Sequence, residues 1–83
     1  MGIRQPTEKE VARLYAQPVL KRGDEGQTVT YLQTALRHHG HIVKSDGRFG
    51  AMTESAVKEF QKSCGLNADG IVGVSTWFEL LKG

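Results

Sequence analysis

Two copies of one octapeptide pattern decide the fold of this chain: Asp46-Gly47-Arg48-Phe49-Gly50-Ala51-Met52-Thr53 and Asp69-Gly70-Ile71-Val72-Gly73-Val74-Ser75-Thr76. The copies share an Asp-Gly pair, a second glycine three residues after the first and a final threonine, and they lie 23 residues apart. Glycines at this spacing permit backbone angles that a Cβ atom excludes, and the aspartate can accept hydrogen bonds from amides of its own turn. Each copy precedes an amphipathic segment. We therefore predict a stiff loop that leads into a helix, used twice, with the threonine hydroxyl capping an amide in the first turn.

Hydrophobic spacing predicts three helices around these loops, over residues 27–39, 51–63 and 75–81. Val29, Leu32 and Leu36 form a narrow apolar stripe on the first helix. Gly40 and Gly65 stand where a left-handed residue would end the first and second helices. The third helix is almost wholly apolar, so we expect it to be largely buried. Because no alternating period-2 run of useful length exists, the predicted fold is all-α, a small bundle with glycine-built loops.

The second helix is expected to bury one face, made of Met52, Thr53, Ala56, Val57, Phe60 and Cys64. The Thr53 hydroxyl should point inward and bond to the backbone. After the first helix, Ile42 and Val43 are expected to return the chain to the core.

The N-terminal part is predicted to hold a short additional helix after six disordered residues. Residues 7–10 form a capping box, Val11, Leu14 and Tyr15 follow at helical spacing, and Pro18 ends the helix. Residues 19 and 20 should then run extended into a turn over residues 21–26.

Composition excludes several classes of function. A chain of 83 residues is one domain, and its net charge of +2, scattered among acids, is too small to indicate nucleic-acid binding. The sequence holds no apolar run near the roughly 20 residues that a membrane span requires. Cys64 is the only cysteine, so no internal disulfide forms, and its apolar neighbours indicate a buried, inert thiol.

The residues also lack the constellations of metal binding and catalysis. His38, His39 and His41 have the wrong spacing for a helical zinc site, and a solvated helix end explains them better. The Asp-Gly loops lack the carboxylates of a calcium-binding EF-hand, and no nucleophile elbow or phosphate loop is present. We therefore expect no enzyme activity, no metal and no cofactor.

A resemblance to a known family rests on many positions at fixed spacing over residues 20–81. They are Leu20, Gly23, Gly26, Val29, Leu32, Gln33, Leu36, Gly40, Asp46, Gly47, Phe49, Gly50, Thr53, Ala56, Val57, Phe60, Gln61, Gly65, Leu66, Asp69, Gly70, Val72, Gly73, Thr76 and Leu80. This pattern resembles the peptidoglycan-binding domain type 1 family. The matrix-metalloprotease propeptide shares the fold, but its Pro-Arg-Cys-Gly switch is absent here. One departure is Ile42, where the family often has an aromatic residue, and we expect this change to affect packing only.

The resemblance implies a three-helix module that anchors a cell-wall hydrolase, such as an amidase or a phage endolysin, to its polymer. It divides the chain into an N-terminal extension at residues 1–19 and a peptidoglycan-binding domain at residues 20–83. The implied partner is peptidoglycan, bound by a monomer that can be fused to a catalytic domain, in the cell wall or periplasm. Because the first residues do not read as a signal peptide, we expect either export of the phage-lysin type or a signal carried by a longer parent chain.

Four residues are candidates for contact with the polymer: Tyr31, Arg48, Gln61 and Asp69. Tyr31 is an aromatic residue off the core stripe, and Arg48 projects from a fixed loop and can pair with a stem-peptide carboxylate. Structural alternatives stay open for the other two. Gln61, like Gln33, can tie loop amides, and Asp69 can cap its own turn, as can Asp46.

A rival hypothesis is a protein-interaction domain or an inhibitory pro-segment. It depends on the apolar face of the N-terminal helix, at Val11, Leu14 and Tyr15, remaining exposed on the bundle. Phe49 and Trp77 are interpreted as core residues and not as ligand platforms.

Overall fold

A computed structural model describes residues 7–8 and 17–82 of the chain. Its helices in this part of the chain are α1 (Gln27–His38), α2 (Ala51–Ser63) and α3 (Val74–Leu81). The predicted all-α class is confirmed, and each predicted helix boundary lies within one residue of the observed one. The predicted N-terminal helix and its capping box fall mostly outside the described residues. None of the described helices has the length and apolarity needed to cross a membrane.

The segment before α1 connects the two repeated loops. Leu20 and Val72 exchange backbone hydrogen bonds of 3.1 and 2.8 Å, which fastens the segment to the second loop. Residues 23–26 pair with the first loop, with Gly26 N–H donating to the Gly47 carbonyl and Phe49 N–H to that of Asp24, both at 2.9 Å. The described residues contain two isolated antiparallel β-bridges, one between Leu20 and Val72 and one between Glu25 and Arg48. The backbone of residues 20–26 thus links the two loops to one another.

The core lies between the inner faces of the three helices and the two loops. It contains Leu20, Val29, Leu32, Leu36, Val43, Phe49, Ala56, Val57, Phe60, Val72, Trp77 and Leu80. Phe49 and Trp77 are therefore core residues, as predicted. Cys64 is a free thiol that packs against this core while remaining partly exposed.

Two residues predicted to be buried are exposed. Met52 is 70% exposed, because it lies in the first turn of α2 and helical side chains lean toward the N-terminus, beyond the end of the core. Ile42 is 93% exposed whereas Val43 is buried, because neighbouring side chains of an extended segment point to opposite sides. The third helix is also less buried than expected, since Val74 remains 42% exposed.

The amide of Gln33 holds the first repeated loop together. The two hydrogens of its Nε2 group are shared among three acceptors: Asp46 Oδ1 at 3.1 Å, the Arg48 carbonyl at 3.0 Å and Thr53 Oγ1 at 3.1 Å. Its Oε1 atom accepts the Gly47 N–H at 2.9 Å. Gln33 is completely buried, so these bonds satisfy an amide that has no access to water.

The second loop repeats this network with Gln61. Its Nε2 group donates to Asp69 Oδ1 at 3.1 Å, to the Ile71 carbonyl at 2.9 Å and to Thr76 Oγ1 at 3.0 Å. Its Oε1 atom accepts the Gly70 N–H at 3.0 Å. The internal repeat in the sequence is therefore a repeat of one hydrogen-bonded structure, with each loop fastened to the helix before it.

The threonines serve this network, and the prediction that they cap backbone amides is wrong. Thr53 points inward as expected, but its hydroxyl accepts from Gln33, and Thr76 accepts from Gln61 in the same way. Glycine occupies the N-cap of both following helices, and neither helix has a side-chain cap bond. Each hydroxyl is buried with the amide, and the contact gives the threonine oxygen a hydrogen-bond partner away from water.

The first glycine of each copy permits close packing on the preceding helix. Gly47 and Gly70 both have a φ of +77°, which side-chain-bearing residues rarely adopt. A Cβ atom at Gly47 would lie 3.0 Å from Thr30 Oγ1 and 3.3 Å from the Gly26 carbonyl oxygen. Both the backbone angle and the space therefore require glycine at this position.

Replacing Phe60 tests the packing of α2. Phe60→Ala should lower the free energy of unfolding by about 3–5 kcal/mol, because it removes a buried aromatic ring and leaves a cavity. Met52→Ala is the matched control on the same helix and should have little effect, because Met52 is exposed. Chemical denaturation measures both, and an equal loss in the two variants would contradict the assigned face.

Replacing Gln61 tests the loop network. Gln61→Leu keeps the approximate volume but should cost about 1–3 kcal/mol for each buried polar group that loses its partner, beginning with the Gly70 N–H. Gln27→Leu is the control, since Gln27 is exposed. Thermal and urea unfolding of the two variants supply the comparison, and matching curves would refute the role given to the buried amide.

Candidate functional site

A concave surface lies where the first loop enters α2. This first cleft is lined by Arg37 from the end of α1, by residues 42–44 from the connection, and by residues 46, 48 and 50–53. It is an open groove of about 740 Å³. Its lining includes the exposed side chains of Ile42 and Met52, so apolar surface lies in direct reach of a ligand.

Three cations surround this apolar surface. Arg37, Lys44 and Arg48 all line the first cleft and are all exposed. The ion pairs of the described residues join Arg22 to Glu54, His41 to Glu59 and Lys82 to Glu79, and none of them involves a cation of this cleft. Positive charge is therefore available in the cleft for an anionic group.

Asp46 is the carboxylate of the first cleft, and its oxygen is engaged by the loop. Hydrogen bonds from the Arg48 backbone N–H and from the Gln33 amide hold the pKa of Asp46 below its ordinary value. A lowered pKa means that the folded loop is favoured by the ionised form. This contribution is present above the pKa of the unfolded chain and is lost as the pH falls through the lowered pKa of the folded protein.

The second loop forms a smaller, equivalent cleft. This second cleft is lined by Gln61, Leu66, Asn67, Asp69, Ile71 and residues 73–76, and its volume is about 340 Å³. Apart from Gln61, its members stand 23 residues after members of the first cleft. No lysine or arginine lines it.

Tyr31 lies on a third, shallow surface. Its ring stacks on Trp77 with a centroid distance of 5.8 Å and an interplanar angle of 21°, and it remains 43% exposed. The buried Trp77 is itself fixed by a 3.0 Å hydrogen bond from Nε1 to the Pro18 carbonyl. Tyr31 shares its depression with glutamine and threonine residues, at positions 17, 27, 28 and 30.

The four predicted contact residues are thus distributed over three surfaces. Arg48 lines the first cleft, Gln61 and Asp69 line the second, and Tyr31 lies on the third. The amide of Gln61 is fully used in tying its loop, which is the structural alternative that the sequence left open. Asp69 accepts a hydrogen bond from the Ile71 N–H in its own turn, and Asp46 does the same from Arg48. Ligand contact by the four residues stays a prediction.

Sequence reasoning missed Arg37, Lys44, Ile42 and Met52 as members of one cleft. Hydrophobic periodicity predicts Ile42 and Met52 to be in the core, and both are exposed. The expectation that the change at Ile42 affects packing only is therefore not supported, because this side chain has little packing. The sequence contains one indication of this cleft: Lys44 and Arg48 of the first copy stand where the second copy has the neutral residues Asn67 and Ile71.

The histidines contribute to packing. His39 Nε2 lies 2.9 Å from the Leu80 carbonyl, and its ring meets the edge of Phe60 with centroids 4.9 Å apart. His41 also contacts the Phe60 ring and lies 3.7 Å from Glu59. Among the described residues, no group of three or more His, Cys, Asp or Glu side chains is arranged to hold a metal ion.

Most of the chain is similar to known peptidoglycan-binding domains. The family model described as "Putative peptidoglycan binding domain" matches residues 25–80. The spore cortex-lytic enzyme of Bacillus cereus is 38% identical over 69 residues, which cover 82% of this chain and 27% of that protein. The chain thus spans less than two thirds of the length of the first curated relatives it matches.

Solved structures extend the likeness to the fold. The crystal structure of the SleB N-terminal domain has a TM-score of 0.77 and 38% identity, covering 81% of this chain and 93% of that one. The Burkholderia AP3 phage endolysin has a TM-score of 0.78 and 42% identity, covering 80% of this chain and 26% of that one. The matched region corresponds to a binding module and not to a catalytic domain. With the loops, the helices and the family model in agreement over residues 25–80, the chain belongs to the family of peptidoglycan-binding domains.

Proposed function

We propose that this domain binds bacterial cell-wall peptidoglycan without chemistry and brings an attached hydrolase to its substrate. The observation that carries the proposal is the first cleft, in which three cations, Arg37, Lys44 and Arg48, stand beside a single carboxylate, Asp46. None of the three takes part in an ion pair of the described residues, although the charge of Arg48 attracts Asp46. Peptidoglycan offers sugar hydroxyls, amides and stem-peptide carboxylates, and a cleft that combines cations with apolar side chains suits such a polymer.

Rigidity of the frame supports this function. The first loop is fixed by the buried amide of Gln33 and by backbone hydrogen bonds from residues 23–26. The loop side of the cleft is therefore formed before a ligand binds. Little conformational entropy is then lost on binding. The cleft is nevertheless open and small, and we expect a single domain to bind weakly as a monomer.

Weak binding is sufficient for targeting. A linked enzyme gains local concentration at an insoluble polymer even when each contact is short-lived. The likeness to the spore cortex-lytic enzyme and the phage endolysin, both several times longer than the matched region, supports attachment to a catalytic domain. The place of action would be extracytoplasmic, at the cell wall.

Arg48 is the contact we propose first, because only its backbone is needed by the loop. Tyr31 follows as an aromatic platform held in place by Trp77. The rival pro-segment hypothesis depends on residues 11–15, which lie outside the described part of the chain, and no described feature favours it.

Co-sedimentation with purified sacculi tests the function directly. The domain should pellet with sacculi stripped of protein and of covalently bound phosphate polymers, and should stay in solution with cellulose particles of equal mass. A domain that remains in the supernatant in both cases would reject peptidoglycan binding.

Replacing Arg48 tests the first cleft. Arg48→Ala should weaken sacculus binding about tenfold, equivalent to about 1.4 kcal/mol, through loss of one charge-assisted contact. The melting temperature should hardly change, because the loop uses only the Arg48 backbone N–H and carbonyl. Arg22→Ala is the control, since this exposed arginine pairs with Glu54 and does not line the cleft. A loss of stability without a loss of binding would make Arg48 a structural residue.

A further inference from the structure

The two clefts form a comparison within one molecule, because their backbones are nearly the same. Gly47 and Gly70 share a φ of +77°. Gly50 and Gly73 have φ of −103° and −102° with ψ of −162° and −165°. The corresponding glutamine hydrogen bonds differ by no more than about 0.1 Å between the copies. Side chains that differ between the copies are therefore not dictated by this backbone.

Charge is the main difference. Lys44 of the first cleft corresponds to Asn67 of the second, and Arg48 corresponds to Ile71. The second copy reaches the same loop geometry with neutral side chains at both positions. The loop geometry therefore does not require either cation, although the charge of Arg48 attracts Asp46. Both side chains are exposed and can reach a ligand.

A difference in length supplies the third cation. Helix α1 continues five residues beyond Gln33, to His38, whereas α2 ends at Ser63, two residues beyond Gln61. The longer helix and the longer connection after it bring Arg37 and Ile42 to the first cleft. The first copy is therefore enlarged by one cationic and one apolar side chain relative to the second.

We infer that the first cleft recognises a free carboxylate of the peptidoglycan stem peptide and discriminates against the amidated form of the same stem. This inference rests on the proposed function and specifies which part of the polymer is bound. Arg37, Lys44 and Arg48 supply hydrogen-bond donors and charge for the carboxylate, and an arginine can meet it with two parallel bonds. Conversion of the carboxylate to an amide removes the charge and replaces one acceptor by a donor, which the guanidinium and ammonium groups of the three cations cannot accept.

The exposed apolar side chains of the first cleft favour a peptide over the other anions of a cell wall. Ile42 and Met52 are exposed beside the cations and offer surface to the methyl groups of an alanine-containing stem. A polyol phosphate chain carries negative charge but has no comparable apolar groups. A glycan strand that carries stem peptides has no free carboxylate of its own, and it gains little from the three cations.

The ligand supplies the first test. Soluble muropeptides of one stem sequence, with the carboxylate free or amidated, are titrated into the labelled domain and followed by amide chemical shifts. The free acid should bind about tenfold more tightly, and its largest shifts should fall in residues 42–53. The preference should shrink as salt is raised, because the charges are exposed.

The second copy supplies the matched variant. The double substitution Lys44→Asn and Arg48→Ile gives the first cleft the residues of the second, on a backbone that already accommodates them. The variant should retain its melting temperature and lose most of the preference for the free acid. Asn67→Ala with Ser75→Ala, in the second cleft, is the control and should keep the preference.

Each outcome separates this inference from the function on which it rests. Equal affinity for the free and amidated stems in the unaltered domain overturns the inference while leaving wall binding intact. Binding to sacculi that disappears when their phosphate polymers are stripped also overturns it. Failure to bind any sacculus preparation removes the proposed function itself. If the double variant does not fold, the comparison of the two muropeptides on the unaltered domain decides alone.

Discussion

A buried primary amide, present twice, is the interaction on which this structure depends. Gln33 and Gln61 are withdrawn from water, and each amide bonds an aspartate, a threonine, a loop carbonyl and a glycine N–H, so that neither its nitrogen nor its oxygen lacks a partner. An unpaired amide at either position would be costly, so the loop can take only the conformation that completes the set. The glutamine thereby turns a glycine-rich segment into a rigid part of the frame.

This rigidity explains how so small a domain can present a defined surface. A chain of this length buries a limited core, and its helices are short enough to be marginal alone. The loops join the core through Phe49 and Val72 and are pinned to the backbone before α1. Because the frame is held by buried bonds and packing, the exposed positions of the first cleft are free to carry charge without loss of fold.

Duplication with divergence gives the two clefts different chemistry on one backbone. The positions that are the same in both copies, aspartate, two glycines and threonine, all serve the loop. The positions that differ include Lys44 and Arg48 in the first copy and Asn67 and Ile71 in the second, and these residues line the two clefts. The residues shared by the two copies are those that the loop needs in order to fold, and the residues that differ are available for binding.

Local periodicity and spacing along the chain were enough to predict the three helices to within one residue, the family, and the positive φ angles of Gly40 and Gly65. The sequence also indicated that Gln33 and Gln61 had a structural alternative to ligand contact. It placed Met52 and Ile42 in the core, because helical periodicity does not tell where a helix projects beyond its neighbours or which of two adjacent apolar residues turns inward. Only the tertiary structure brought Arg37 of α1, Lys44 of the connection and Arg48 of the loop to one cleft, since their proximity arises from the packing of segments that the sequence treats separately.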